Sequence, residues 1–222
     1  MPTQIASIRT ASPAVVSTNK LIRNTYMLLS LTLLFSAVTA SLSVMLSMPP
    51  ITYLVSVSAS IALMWLVLPR TAHSASGLGV VFAITGLLGF ALGPILSMYL
   101  KLPHGPQLVA TALGGTGAIF LGLSAYALTT RRNFNFMGGF LFVGMLVVLG
   151  ASLANIFLGL PALSLAVSAV VVMLMSGFIL FDTSRMIHGG VDNYILATVG
   201  LYMSVFNLFI SLLQLLGFAN DD

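Results

Sequence analysis

Apolar residues in this chain come in long blocks, without strand-like alternation. Seven blocks lie at about 26–46, 51–69, 77–100, 107–129, 136–158, 162–184 and 194–217. Each approaches the roughly 20 residues a helix needs to cross a bilayer core about 30 Å thick. The connections are short and punctuated by Pro49-Pro50, Pro69, Pro103, Pro106 and Pro161. Polarity with a period of two, the mark of a membrane barrel, is absent. The second block is the most diluted, by Ser56, Ser58 and Ser60. The pattern predicts an all-α polytopic membrane protein: seven transmembrane helices over 26–217, a flexible polar tail over 1–25 and a short C-terminal tail over 218–222.

Polar positions inside the blocks form stripes. In the first, Thr25, Thr32, Ser36, Thr39 and Ser43 fall within roughly 60° at helical periodicity, an interior face suited to helix–helix contact. In the last, Ala197, Gly200, Ser204, Asn207, Ser211 and Gln214 share about 100° of the helix surface. Asn207 and Gln214 are costly against acyl chains without partners, so the last helix is expected to pack centrally. In the fourth, Ala110, Gly114, Ala118 and Gly122 form a ridge of small residues that predicts close packing.

Composition agrees with the pattern. Charged residues are 5% of 222, hydrophobic residues 59%, and there is no Glu, whereas soluble domains carry about 25% charged residues. A soluble enzyme and a disordered chain are excluded. Eight Lys and Arg are too few for the dense basic surface of a nucleic-acid binder. Zero Cys excludes disulfides and thiol chemistry. Placed on the seven spans, Arg9, Lys20, Arg23, Arg70, Arg131, Arg132 and Arg185 fall on one side and Lys101 on the other. By the positive-inside rule the N-terminus is cytoplasmic and the C-terminus is on the far side. Residues 1–25 lack the apolar core of a cleavable signal.

Two features carry candidate chemistry. In the third block, Gly93-Pro94 is a candidate helix break, because Pro94 cannot donate to the Phe90 carbonyl and its ring pushes on that turn. Broken helices often line ion paths, though tolerated kinks are also found. Asp182 is the one acid inside a span. Arg185 at i+3 is placed to pair with it. The residues alone leave two readings open: an interfacial ion pair, or a proton- or cation-responsive site. Ser204 and Asn207 on the last helix are the other candidate oxygen donors.

Several runs, in order along nearly the whole chain, resemble the Bax inhibitor-1 family. They are Gly86-Leu87-Leu88-Gly89-Phe90-Ala91-Leu92-Gly93-Pro94-Ile95-Leu96, Arg131-Arg132-Asn133-Phe134-Asn135-Phe136-Met137-Gly138-Gly139, Leu180-Phe181-Asp182-Thr183 and Leu201-Tyr202-Met203-Ser204-Val205-Phe206-Asn207-Leu208-Phe209. Leu21-Ile22-Arg23-Asn24-Thr25-Tyr26 and Ile187-His188-Gly189-Gly190 are similar to its bacterial YccA-type subgroup. The resemblance implies a bacterial inner-membrane protein with a periplasmic C-terminus. The implied partners are membrane lipid and an FtsH-type AAA+ protease, which such a protein modulates while being its slow substrate. The alternative it implies is a pH-dependent calcium or proton leak with weak Ca²⁺ or H⁺ binding. For that leak the family uses an aspartate pair, and Asp182 matches one half. The other half falls on Ser204, so two carboxylates cannot share a proton here.

Other chemistries are set aside. An aspartyl protease within the membrane needs two aspartates. A zinc site needs convergent ligands, and His73, His104 and His188 lie in separate loops. A retinal Schiff base needs a lysine within a span. No resident cofactor, metal or catalytic residue is expected. His188 with Asp192 is left as a solvated loop or as a tuner of the inner mouth.

Overall fold

The computed structural model describes residues 13–219, with side chains from Thr18 onward. Seven helices among them are long and apolar enough to cross a membrane, and no strand occurs among the described residues. In chain order the α-helices are α1 (Pro13–Met45), α2 (Ile51–Ala62), α3 (Leu68–Thr71), α4 (Ser76–Leu100), α5 (Gly105–Thr130), α6 (Gly138–Leu158), α7 (Pro161–Ile187) and α8 (Tyr194–Phe218). A π turn, Leu63–Val67, joins α2 to α3 in one span. It sits just ahead of Pro69, whose missing N–H and bulky ring disturb the preceding turn.

The first helix starts earlier than hydropathy implies. It begins at Pro13, so residues 13–25, read above as tail, are helical. Helicity outlasts the apolar stretch because a helix satisfies its own backbone groups whether or not lipid surrounds it. Leu21, Ile22 and Tyr26 also pack on the core. The rest of the predicted tail, residues 1–12, lies outside the described residues.

The last helix is central. In its most apolar stretch 67% of residues are buried, against 11% for the span containing α6. Around α8 stand α1, α4, α5 and α7, while α2 leans on α4 and α6 leans on α7. Both faces of α8 are buried: Ala197, Ser204 and Ser211 on the polar side, Leu201, Leu208 and Leu213 on the other. Gln214 is an exception on the polar side. It is exposed and accepts a 2.7 Å hydrogen bond from Ser168 Oγ of α7.

The polar stripe of α1 is interior: Thr25, Thr32, Ser36 and Ser43 are buried. Its partner is the glycine run of α4. A Cβ on Gly86 would stand 2.6 Å from the Phe35 ring, one on Gly89 would meet Ser36 and Thr39, and one on Gly93 would meet Ser43. The run is therefore a seam in which α1 lies, and α4 stays helical through Pro94. Of the two readings of Gly93-Pro94, a broken helix and a tolerated proline with close packing, the continuous α4 agrees with the second.

The fourth-span ridge is a second correction. Ala110, Gly114, Ala118 and Gly122 are exposed, and a Cβ on Gly114 or Gly122 would meet nothing within 4 Å. The opposite row of α5, Leu108, Ala112, Thr116, Phe120 and Ser124, is the buried one. Both rows repeat every four residues. The inward row offers larger side chains to the space beside α7 and α8, and α6 packs on α7 and not on α5.

Candidate functional site

The α7–α8 interface holds the candidate residues. Asp182 is half-buried on α7 and faces α8 at a glycine: a Cβ on Gly200 would stand 3.1 Å from Asp182 Oδ2. Any larger residue at position 200 would press on the carboxylate. One turn on, Ser204 is buried, but its Oγ donates to the Gly200 carbonyl at 3.2 Å. Asn207 Nδ2 likewise donates to the Met203 carbonyl at 2.8 Å. Both groups spend hydrogens on their own helix while their oxygens keep lone pairs, so the arrangement offers one carboxylate beside two neutral oxygens.

Arg185 does not pair with Asp182. Its guanidinium donates to the Gly190 carbonyl at 2.9 Å and lies 5.4 Å over the Phe181 ring. Among the described residues Asp182 has no hydrogen bond or ion pair. The i+3 spacing allowed a pair, but a cation in a last helical turn also serves the free carbonyls beyond it, and that contact is the one formed. His188 Nδ1 lies 2.9 Å from the Ser184 carbonyl, so that ring folds back on α7.

Around this interface three polar ties hold the bundle, none of them singled out from sequence. Tyr26 Oη lies 3.3 Å from Thr183 Oγ1, joining α1 to α7. Ser184 Oγ accepts from the Phe134 N–H at 2.9 Å and donates to the Arg132 carbonyl, joining the α5–α6 connection to α7. Asn193 caps α8, its Oδ1 accepting from the Ile195 and Leu196 N–H groups. Its Nδ2 donates 2.8 Å to the Ala72 carbonyl and lies 3.3 Å from His73 Nδ1. An Asn just before an apolar run is a readable N-cap signal; its link to Ala72 across 121 residues has no local trace.

Deeper in, Tyr202 of α8 is buried and bridges two helices. Its O–H donates to the Thr85 carbonyl of α4 at 3.2 Å. A phenol has one proton, so Ser36 of α1, 2.5 Å away, donates to the Tyr202 oxygen. The polar stripe of α1 and the centre of α8 meet here.

Among the described residues no three His, Cys, Asp or Glu side chains converge as a metal cluster would. A hard cation such as Ca²⁺ takes about 6–8 oxygen ligands, and Asp182 supplies two at most.

A family model described as "Inhibitor of apoptosis-promoting Bax1" matches residues 18–221. The chain is 51% identical over 209 residues, 94% of each chain, to a protein of Escherichia coli K12 named "Modulator of FtsH protease YccA". It matches equally a protein of Escherichia coli O6:H1 named "Inner membrane protein YccA", 51% identical over 94% of each chain. A membrane protein of Vibrio cholerae with no assigned role is 47% identical over 93% of each chain.

Proposed function

As the chain belongs to the family of inhibitors of apoptosis-promoting Bax1, we propose that it is an inner-membrane modulator of an FtsH-type protease. The observation that carries this reading is 51% identity across 94% of a relative named for that role. The inner membrane as its location rests on a second relative's name and on the seven apolar helices. The cation distribution supports a cytoplasmic N-terminus and a C-terminus on the far side. The role is regulatory and not catalytic.

The fold supplies a physical basis. A protease that extracts membrane proteins must pull each helix from its neighbours. Here α8 is buried on both faces and α1 is seated in the α4 seam, so extraction begins against closely packed contacts. A substrate engaged but slowly dislocated occupies the protease and delays others. Residues 2–12, which precede α1, are the segment proposed for the protease to grip.

Deleting residues 2–12 tests this without touching α1. In cells with the protease active, a pulse-chase is expected to show the shortened chain persisting severalfold longer. Other membrane substrates are expected to be degraded faster than with the full chain. An unchanged lifetime together with undiminished protection of other substrates would sink the idea of a grip.

The cation-leak alternative rests on Asp182, half-buried and unpaired at the α7–α8 interface. One carboxylate beside the neutral oxygens of Ser204 and Asn207 falls well short of the ligand set of a strong Ca²⁺ site. Purified protein in liposomes is expected to show the same Ca²⁺ efflux, at pH 6 and pH 8, as its Asp182→Asn variant. An efflux above protein-free vesicles that Asp182→Asn abolishes would replace the regulator reading with a channel.

A further inference from the structure

A cavity of about 460 Å³ opens between α1, α4, α5 and α8. Its walls are side chains such as Ala40, Leu96, Val109 and Phe206, and its polar members are few: Ser36, Ser41, Thr116 and Tyr202. Tyr202 and Ser36 hydrogen-bond to each other at the inner end, so their polarity is largely spent. Such a space stays dry in water, and in size and lining it falls within the range of small-ligand pockets, about 300–1,000 Å³.

The cavity opens sideways. Its flanking helices α1 and α5 meet at the Tyr26–Phe120 ring pair but their backbones do not approach closely, and the rim residues Ala37 and Leu113 are exposed. Along α1 it runs from Leu33 to Met45, which is about 18 Å at 1.5 Å per residue. Half of a roughly 30 Å hydrocarbon core is about 15 Å, so the cleft is long enough to span one leaflet. Past Met45 it reaches the end of the bundle where the α1–α2 and α4–α5 turns lie.

At that end a second, wider cavity of about 1080 Å³ adjoins the first, sharing Val44 and Leu100, and it contains Lys101, Ser47 and Tyr53. The other described cations, Lys20, Arg23, Arg70, Arg131, Arg132 and Arg185, lie at or near the opposite ends of their helices. A dry slot long enough to span one leaflet thus leads up to the one described cation on its side of the membrane.

We propose that this cleft binds one anionic phospholipid, an acyl chain lying between α1 and α5 and the headgroup phosphate at Lys101. Hydrocarbon in the slot gains the dispersion contacts that a void forfeits. Membrane insertion alone gives no reason to prefer one lipid over another; the lysine supplies the preference through a charge-assisted contact. The occupant holds apart two helices that otherwise leave a gap beside α8. This site is independent of the protease reading, since it needs neither the N-terminal segment nor Asp182.

Native mass spectrometry of the full chain in mild detergent tests it, with phosphatidylglycerol and phosphatidylcholine of identical chains as probes. The expected result is one bound phosphatidylglycerol per chain, held about tenfold more tightly than phosphatidylcholine. Lys101→Gln is expected to erase that preference while one lipid still binds. Ala37→Phe and Leu113→Phe lie on the exposed rim of the cavity, so each keeps the fold while obstructing the slot. Both are expected to reduce bound lipid of either kind about tenfold. The proposal is overturned if the natural chain retains no phospholipid, if Lys101→Gln keeps the preference, or if both rim variants bind lipid undiminished. A dimer that the rim variants dissociate would also overturn it, by giving the cleft to a second copy.

Discussion

Replacing Gly89 by valine is expected to loosen the bundle strongly. A Cβ there would run into the Ser36 carbonyl, Ser36 Oγ and Thr39 Oγ1 of α1. The carbonyl is backbone and cannot rotate away, so α1 must retreat as a whole. Its retreat would draw Ser36 off Tyr202 and disturb the Tyr202–Thr85 contact in the same step. Overpacking a close-packed core costs about 1–3 kcal/mol, and a hydrogen bond lost at a buried group adds roughly 1 kcal/mol. The measurement is thermal unfolding in detergent. Gly79→Val on the same helix is the control, since a Cβ at Gly79 meets nothing within 4 Å; it is expected to stay within about 0.5 kcal/mol of the natural chain. Should Gly89→Val express too poorly to measure, Gly89→Ala retains the same Cβ collision. Equal unfolding of the Gly89 and Gly79 variants would remove the seam as the reason for the glycine run.

The same run shows what a sequence does and does not reveal in this fold. Its glycines and Pro94 were visible, and so was the polar stripe of α1, but nothing local said that the two face each other. Span length was legible because the bilayer sets it, and the seven helices fall where the apolar blocks do. The central place of α8 was legible because Asn207 and Gln214 are costly in lipid, although Gln214 itself ends up exposed beside Ser168. The direction of α5 was not, because two rows at spacing four competed and the choice lay with its neighbours. Arg185 illustrates the same limit at the candidate site. Spacing permits both the ion pair and the carbonyl contact, and only the turn through Gly189 and Gly190 decides between them. Gly189 has φ +75°, which swings the chain back so that the Gly190 carbonyl meets the guanidinium. The lipid cleft had no signature at all, since its walls are ordinary apolar residues drawn from four helices.

Asn193→Ala is the other substitution expected to act strongly, and it does so from outside the apolar blocks. Asn193 is nearly buried and does two tasks with one side chain. Its Oδ1 accepts from two N–H groups in the first turn of α8, a cap whose loss to Ala costs about 0.5–2 kcal/mol. Its Nδ2 satisfies the carbonyl of buried Ala72. Leaving such a group without a partner costs about 1–3 kcal/mol. Together these predict roughly 2–4 kcal/mol, allowing for incomplete additivity between tasks on one residue. Asn193→Asp separates the two. A carboxylate still caps the helix and favours its N-terminus, but it cannot donate to Ala72 and sets an oxygen against that carbonyl. Asn193→Ser keeps only a shorter cap. If capping dominates, Asp and Ser should both stay close to the natural chain in thermal unfolding. If the tie to Ala72 dominates, both should fall with Ala. The tie is expected to dominate, because it joins the turn before α4 to the start of the central helix.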